Sequence, residues 1–283
     1  NLGNSATRVK ILHETLTITS NDSKVANKKV FLDGLWQYSG EGSREPFAQE
    51  IFHAFNFKSN TGYGARDPDK VDSSKIKGDE IKPDYFVRAD ASIPVTIKQI
   101  ASYRGCCYST ESIQWLNIGA SASNTTTIFS SALRDGQTLL PHNTKDGGPA
   151  VGTFAPAGPF WIMMGYGNST APAKNPLKKL GVRVYKALDS SGNIIPNAWL
   201  LTSDYIGTPV TNYDYQDNVY YATNLKPYSG TAYYSPLNVT PSDVDFGEKV
   251  LQTNNSFQLN ISNGGKSYSN GSKDPALVVS SIV

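Results

Sequence analysis

Cysteine is nearly absent from this 283-residue chain: there are two, and they are adjacent, Cys106-Cys107. Neighbouring residues can hardly meet disulfide geometry, so a framework of intrachain bridges is excluded as the source of stability. Two unpaired thiols, a strained vicinal bridge and a bridge between chains all stay open. Histidine is scarce too. His13, His53 and His142 are the only three, none is spaced as a metal pair, and no H-E-x-x-H occurs. There is no G-x-S-x-G elbow, since Gly119-Ala120-Ser121-Ala122-Ser123 fails at its last position. Walker A and dinucleotide fingerprints are missing as well, so a role without catalysis is expected. No apolar run reaches the roughly 18 residues of a membrane span, and none is expected. Charge is thin, at 18% of residues against roughly 25% in typical soluble domains. Lys plus Arg number 26 and Asp plus Glu 24, a formal net charge of +2. That is too near neutral to point to nucleic acid or an anionic membrane as partner.

Asn, Ser, Thr, Gly and 16 tyrosines fill the gap. This composition suits a β-rich extracellular protein whose surface is polar rather than ionic. Asn-x-Ser/Thr sequons stand at Asn21, Asn124, Asn168, Asn238, Asn254, Asn260 and Asn270. They fit secretion through a glycosylating pathway, so an extracellular or cell-surface location is expected. Phe257, Leu259 and Ile261 alternate with Ser256, Gln258 and Asn260, which puts Asn260 on a solvent face. The chain opens at Asn1 without Met or a signal-like segment, and reads as a mature product or a piece of a longer chain.

The stretch Gly181–Pro227 organises the reading. Val182 and Val184 alternate with Arg183 and Tyr185, the period-2 pattern of a half-buried strand. Asp189-Ser190-Ser191-Gly192-Asn193 supplies a tight turn. Ala198–Ser203 and Asn218–Asn224 read as two further strands. Between them, Asn212-Tyr213-Asp214-Tyr215-Gln216-Asp217 gathers carboxylates and amides on a loop. Ca²⁺ takes six to eight oxygens, and loops deliver them. Asn212, Asp214 and Asp217 are the candidate ligands, with Asp204 added from the preceding strand. Asn and Asp are equally ordinary turn residues. Tyr213, Tyr215, Tyr220, Tyr221, Tyr233 and Tyr234 crowd the same half; they suit either a sugar-stacking face or a core. Asp79-Glu80 is the best adjacent acid pair for glycoside chemistry, with a solvated loop as its plainer reading.

Other strands are expected at Arg8–Leu12, Thr15–Thr19, Lys29–Leu35, Asp84–Arg88, Val95–Ser102, Thr110–Ile118 and Phe160–Tyr166. Asn124–Leu133 is ambiguous between helix and strand. Pro46–Phe55 looks helical, because Phe47, Ile51 and Phe55 share one face and Pro46 fits the first position. The fold class is therefore all-β, a central jelly-roll-like β-sandwich with partial sandwich elements at the ends.

The 212–217 loop running into a final strand resembles the D-x-D-Y-N-D calcium loop of a family of secreted bacterial β-sandwich domains, with Asn212 at the first position and Gln216 at the fifth. Gly78–Gln99 with Gly181–Pro227 resembles a module of large secreted multi-domain proteins, where it sits beside immunoglobulin-like repeats of the choice-of-anchor or ASH-like kind. The L-T-I-T-S-N-D and V-F-L-D-G-L runs near the start are similar to closing strands of such a repeat. Val244-Asp245-Phe246-Gly247 and Phe257–Ser262 are similar to opening strands. The resemblance implies Ca²⁺ as cofactor. It also implies closing immunoglobulin-like strands over 1–36, a linker over 37–45, a central sandwich over 46–228 and opening strands over 229–283. Each half domain exposes an apolar face and free edges. Leu16, Ile18, Val30 and Leu32 at the head, with Phe257, Leu259 and Ile261 at the tail, are the residues expected to meet. The expected function is an extracellular structural protein, a protomer or repeat of a fibre or surface layer whose copies join head to tail. The alternative is a calcium-dependent, lectin-like module with glycans as partners.

Native material should carry sugar at these sequons. Intact mass before and after enzymatic deglycosylation checks this, and a native mass equal to that of the bare polypeptide would remove the glycosylating route.

Overall fold

The computed structural model describes residues 8–24, 26–40, 44–69, 76–83, 85–105, 110–121, 124–164, 168–170, 180–205, 211–227, 237–240 and 260–263. Cys106, Cys107, Asn254, Phe257, Leu259 and Asn270 lie outside these, as do the side chains of Asn168, Asn238 and Ile261. The chain divides into two compact units, Asn1–Thr231 and Ala232–Val283.

The protein is all-β. In the first unit β1 (Val9–Thr19) and β2 (Asn27–Gln37) precede the helix α1 (Ala48–Ala54). Then come β3 (Glu80–Ile81), β4 (Phe86–Arg88), β5 (Val95–Tyr103), β6 (Glu111–Asn117), β7 (Thr126–Ser131), β8 (Gln137–Leu139), β9 (Val151–Phe154), β10 (Phe160–Met164) and β11 (Asn168–Ser169). β12 (Val182–Leu188), β13 (Ile194–Ser203), β14 (Asn218–Thr223) and β15 (Leu225–Pro227) complete it. The second unit holds an antiparallel pair, β16 (Leu237–Thr240) and β17 (Asn260–Asn263).

Two sheets make the sandwich. One runs β15-β4-β10-β6-β7 with β11 on β10, the other β3-β12-β13-β14-β5-β8 with β9 on β5. Aromatic rings lock them face to face. Phe154 of β9 lies 5.4 Å from Phe160 of β10 and 5.8 Å from Trp115 of β6, and Phe129 of β7 lies 6.3 Å from Tyr220 of β14. The Trp199 indole N–H donates across to the Leu225 carbonyl at 2.6 Å. As the sequence suggests, Asp189 turns the β12–β13 hairpin, accepting the Ser191 and Asn193 N–H groups, with Gly192 at φ +78°.

The larger sheet is covered on both faces. α1 lies on its outer side, where Ile51 and Phe52 meet Tyr185, Ala198, Leu200 and Val219. Glu50 reaches back to the Phe47 N–H at 2.7 Å and starts the helix. This second layer corrects the expectation for β12. The alternation Val182/Arg183/Val184/Tyr185 reads as half-buried, yet all four residues are buried. Arg183 is tolerated inside because Glu80 pairs with it at 2.7 Å, Asp67 pairs with it too, and Tyr215 stacks on it at 4.5 Å. Lys77 then meets Asp67 at 2.7 Å. Asp79-Glu80 is therefore not a solvated loop: Glu80 is a core partner of Arg183, delivered through Gly78 at φ +55°.

β1 and β2 form a two-stranded arm. Its root, from Val9 to Leu12 and from Gly34 to Gln37, is half-buried apart from Lys10, whereas most of the outer part is exposed. Residues opposite one another in the register share a face: Leu16 with Val30, Glu14 with Leu32, Ile18 with Lys28. The expected head residues thus do gather on one side.

Arg183→Ala would leave Asp67 and Glu80 buried without their shared cation. Such losses cost about 3–5 kcal/mol, so urea denaturation should show a drop of that order with the slope unchanged. A loss below about 1 kcal/mol would mean that the network is no more than a surface-type ion pair.

Candidate functional site

The 212–217 loop follows β13 and leads into β14, and its shape is set by Asp204 just past the end of β13. The Asp204 carboxylate accepts the backbone N–H groups of Tyr213, Asp214 and Tyr215. Tyr213 and Tyr215 adopt φ values of +64° and +54°, a region bulky side chains avoid. Three hydrogen bonds to one carboxylate, with the Tyr215 hydroxyl donating to the Leu180 carbonyl at 2.6 Å, hold that unfavourable backbone in place.

Three of the four expected ligands share one buried neighbourhood without surrounding a common point. Asp204, Asp214 and Asp217 are all buried, and each neighbour's negative charge is felt by another. Asn212 plays the turn role, its Oδ1 accepting the Asp214 N–H at 3.2 Å. Two further acids belong to the same centre and were not singled out by sequence. Glu45 precedes α1, and Glu111 opens β6; both are 5% exposed. Glu111 is met by Asn218 Nδ2 at 2.6 Å, by the Tyr205 hydroxyl and, at 3.8 Å, by Arg104. Gln216 Nε2 donates to Glu45 at 3.2 Å. No local signal marks Glu45, which lies in a Gly- and Ser-rich stretch read as a linker. Gln216 itself was legible as a loop amide.

Burial pushes the Asp204 carboxyl up to about 6. Burial, then the charges of Asp204 and Glu45, push Asp214 up to about 7. Asp217 is driven well above the usual carboxylate range by burial and then by Asp204, Asp214, Glu111 and Glu45. Burial raises Glu111 as well, against the pull of Arg104.

Chemically the centre is a concentration of hard oxygen donors, with Arg104 and Arg66 acting on it among the described residues. Asp214 Oδ1 and Gln216 Oε1 are buried without a hydrogen-bond partner among the described residues. Those oxygens fit Ca²⁺, which accepts carboxylate and amide carbonyl oxygens alike. Among the described residues no three Asp, Glu, His or Cys side chains already surround one point closely enough to hold an ion.

The other expected sites are scattered. Asn21, Asn124 and Asn260 are exposed. Tyr215 and Tyr220 are core residues, and Tyr213 and Tyr221 are partly buried; Tyr233 and Tyr234 lie outside the described residues. His142 and its own backbone N–H both turn onto Asp135, at 2.9 and 2.7 Å, closing a local turn. Comparison with family models, with curated proteins and with solved structures finds no match for this chain.

The raised carboxyls bind protons more tightly in the folded than in the unfolded chain. Their contribution is therefore full below about pH 4, where the unfolded groups also take up protons, and is lost as pH rises through about 6 and 7. In buffer with chelator, stability should fall between pH 5 and pH 8 by about a few kcal/mol, and added Ca²⁺ should restore it at pH 8. Melting curves that are flat or rise over this window in chelator would contradict the account.

Proposed function

We propose that this chain is an extracellular structural module that assembles head to tail with copies of itself, with a Ca²⁺ ion settling the acidic centre. The observation that carries the reading is the arm. Leu16, Ile18 and Leu32 are about half exposed on one face of a sheet only two strands wide. A pair of strands on its own is marginal in water, and a third strand or a packed face stabilises it.

The edges support the same reading. Tyr38 donates to the Arg8 carbonyl at one end of the arm and Ser20 to the Ala26 carbonyl at the other. Hydrogen-bonded pairs therefore fall on even-numbered residues, and the backbone groups of Thr15, Thr17 and Phe31 point off the edges. Such edges accept strand addition. The occupant is the tail of a neighbouring copy, whose Phe257, Leu259 and Ile261 would meet Leu16, Ile18, Val30 and Leu32. Each such side chain buried is worth roughly 1.5–3 kcal/mol. Contact between unlike ends is heterologous and propagates into a filament unless it closes a ring. The sugar-binding alternative asks for exposed stacking rings, and Tyr215 and Tyr220 sit in the core.

Replacing Leu16 and Leu32 together by Asp should weaken self-association by at least about tenfold while leaving the melting of the sandwich unchanged. Sedimentation over a concentration series reads both species. A wild-type chain that stays monomeric at the highest concentration, or a double variant that assembles like it, defeats the reading.

A further inference from the structure

The root of the arm and the acidic centre share one residue. The backbone carbonyl of Glu45 accepts a hydrogen bond from Arg8 at the foot of β1. The Glu45 carboxylate accepts the amides of Gln137 on β8 and of Gln216 in the loop. Arg8 also pairs with Glu50 of α1 and lies 3.7 Å over the Phe47 ring. Among the described residues, Asn56 also donates to Asp33 of the arm at 2.9 Å, and the Gln37 and Gln137 amides meet at 3.4 Å beside a cleft of about 510 Å³.

The loop by itself is poorly supplied with donors. The carboxylate of Asp204 is engaged by three N–H groups, one of which, that of Asp214, is shared with the Asn212 oxygen. Asp214 remains, with Asp217, whose Oδ2 already accepts the Tyr205 N–H at 3.1 Å, and Ca²⁺ wants six to eight oxygens. Glu45 carries a carboxylate to the same place. The Gln216 amide bonded to it has its own Oε1 buried and without a partner among the described residues, as does Asp214 Oδ1. These are the oxygens that an ion between loop and Glu45 would engage.

We propose that Glu45 is a Ca²⁺ ligand contributed from outside the loop, and that ion binding through it fixes the root of the β1–β2 arm. This rests on the reading of the acidic centre as a cation site. Ca²⁺ is favoured over Mg²⁺ because donors drawn from separate chain segments suit a large ion with flexible coordination.

The test uses the full chain, stripped with chelator and titrated with calcium chloride. Calorimetry gives the affinity, and hydrogen exchange gives protection residue by residue. In wild type, saturating Ca²⁺ should slow exchange both in the 212–217 loop and at the arm root, Val9–Leu12 and Gly34–Gln37. Glu45→Gln keeps an oxygen acceptor for its partners. It should lower the affinity about 10- to 100-fold and, at saturating Ca²⁺, protect the loop but leave the arm root at its metal-free rate. Should that variant fail to fold, Glu45→Asp replaces it and should show the same uncoupling. An affinity equal to wild type in the Glu45 variant overturns the proposal. So does a wild-type arm root indifferent to Ca²⁺ that protects the loop; either result leaves the cation site standing. No binding by wild type removes the cation site itself, and the proposal with it.

Discussion

A charge taken out of water needs a partner, and the two buried charge systems of this protein meet that need in opposite ways. Around Arg183 the account is nearly closed: two carboxylates share one guanidinium, Lys77 adds a second cation, and tyrosine rings line the site. The acidic centre is open. Among the described residues five carboxylates gather there, with Arg104 3.8 Å from Glu111 and the more distant Arg66 acting on Asp204 and Asp214. Desolvating an ion costs several kcal/mol even after relaxation, and like charges add to that. Protons meet part of the deficit at low pH, and a divalent ion would meet it at neutral pH. The Arg183 network is thus read as architecture, and the acidic centre is where a cation is proposed.

Both systems depend on the larger sheet being covered twice. A sheet packed on one side would have sent Arg183 and Tyr185 into solvent, as the alternation in β12 suggests. With α1 and the 59–69 segment over the outer face, every residue from Val182 to Ala187 is buried. Polar groups caught inside must then find one another across long stretches of chain.

That requirement explains what the sequence reveals and what it hides. Period-2 runs, the Asp189 turn and the presence of α1 are local, and each was legible within its own ten or so residues, although Phe47 and Phe55, expected on the face of α1, cap it, and Phe52 joins Ile51 on the buried side. The centre was half legible for the same reason. Asp214 and Asp217 share a loop, and Asp204 closes the strand before it. Glu45 is different, because Gln216, its partner, is 171 positions away. Glu111 meets Asn218 across 107 positions. No spacing rule links such pairs; only the closing of the two sheets brings them together. The left-handed Tyr213 and Tyr215 were hidden too, since their backbone is imposed by Asp204 and runs against their own preference.

The arm gains its meaning from the same balance. Its root is held by Arg8, Asn56 and a glutamine pair, whereas its outer strands leave Leu16, Ile18, Phe31 and Leu32 in water. Exposed apolar groups of this size add nothing to the stability of the isolated chain, and free edges invite pairing. Docking such an arm costs entropy in proportion to how freely it moves beforehand. An arm fixed at its root loses less on binding than one that swings. A contact that links the root to the acidic centre would therefore affect the proposed assembly even though it touches no neighbour. Glu45 is placed to be that contact, because its backbone belongs to the arm's anchorage and its side chain to the centre.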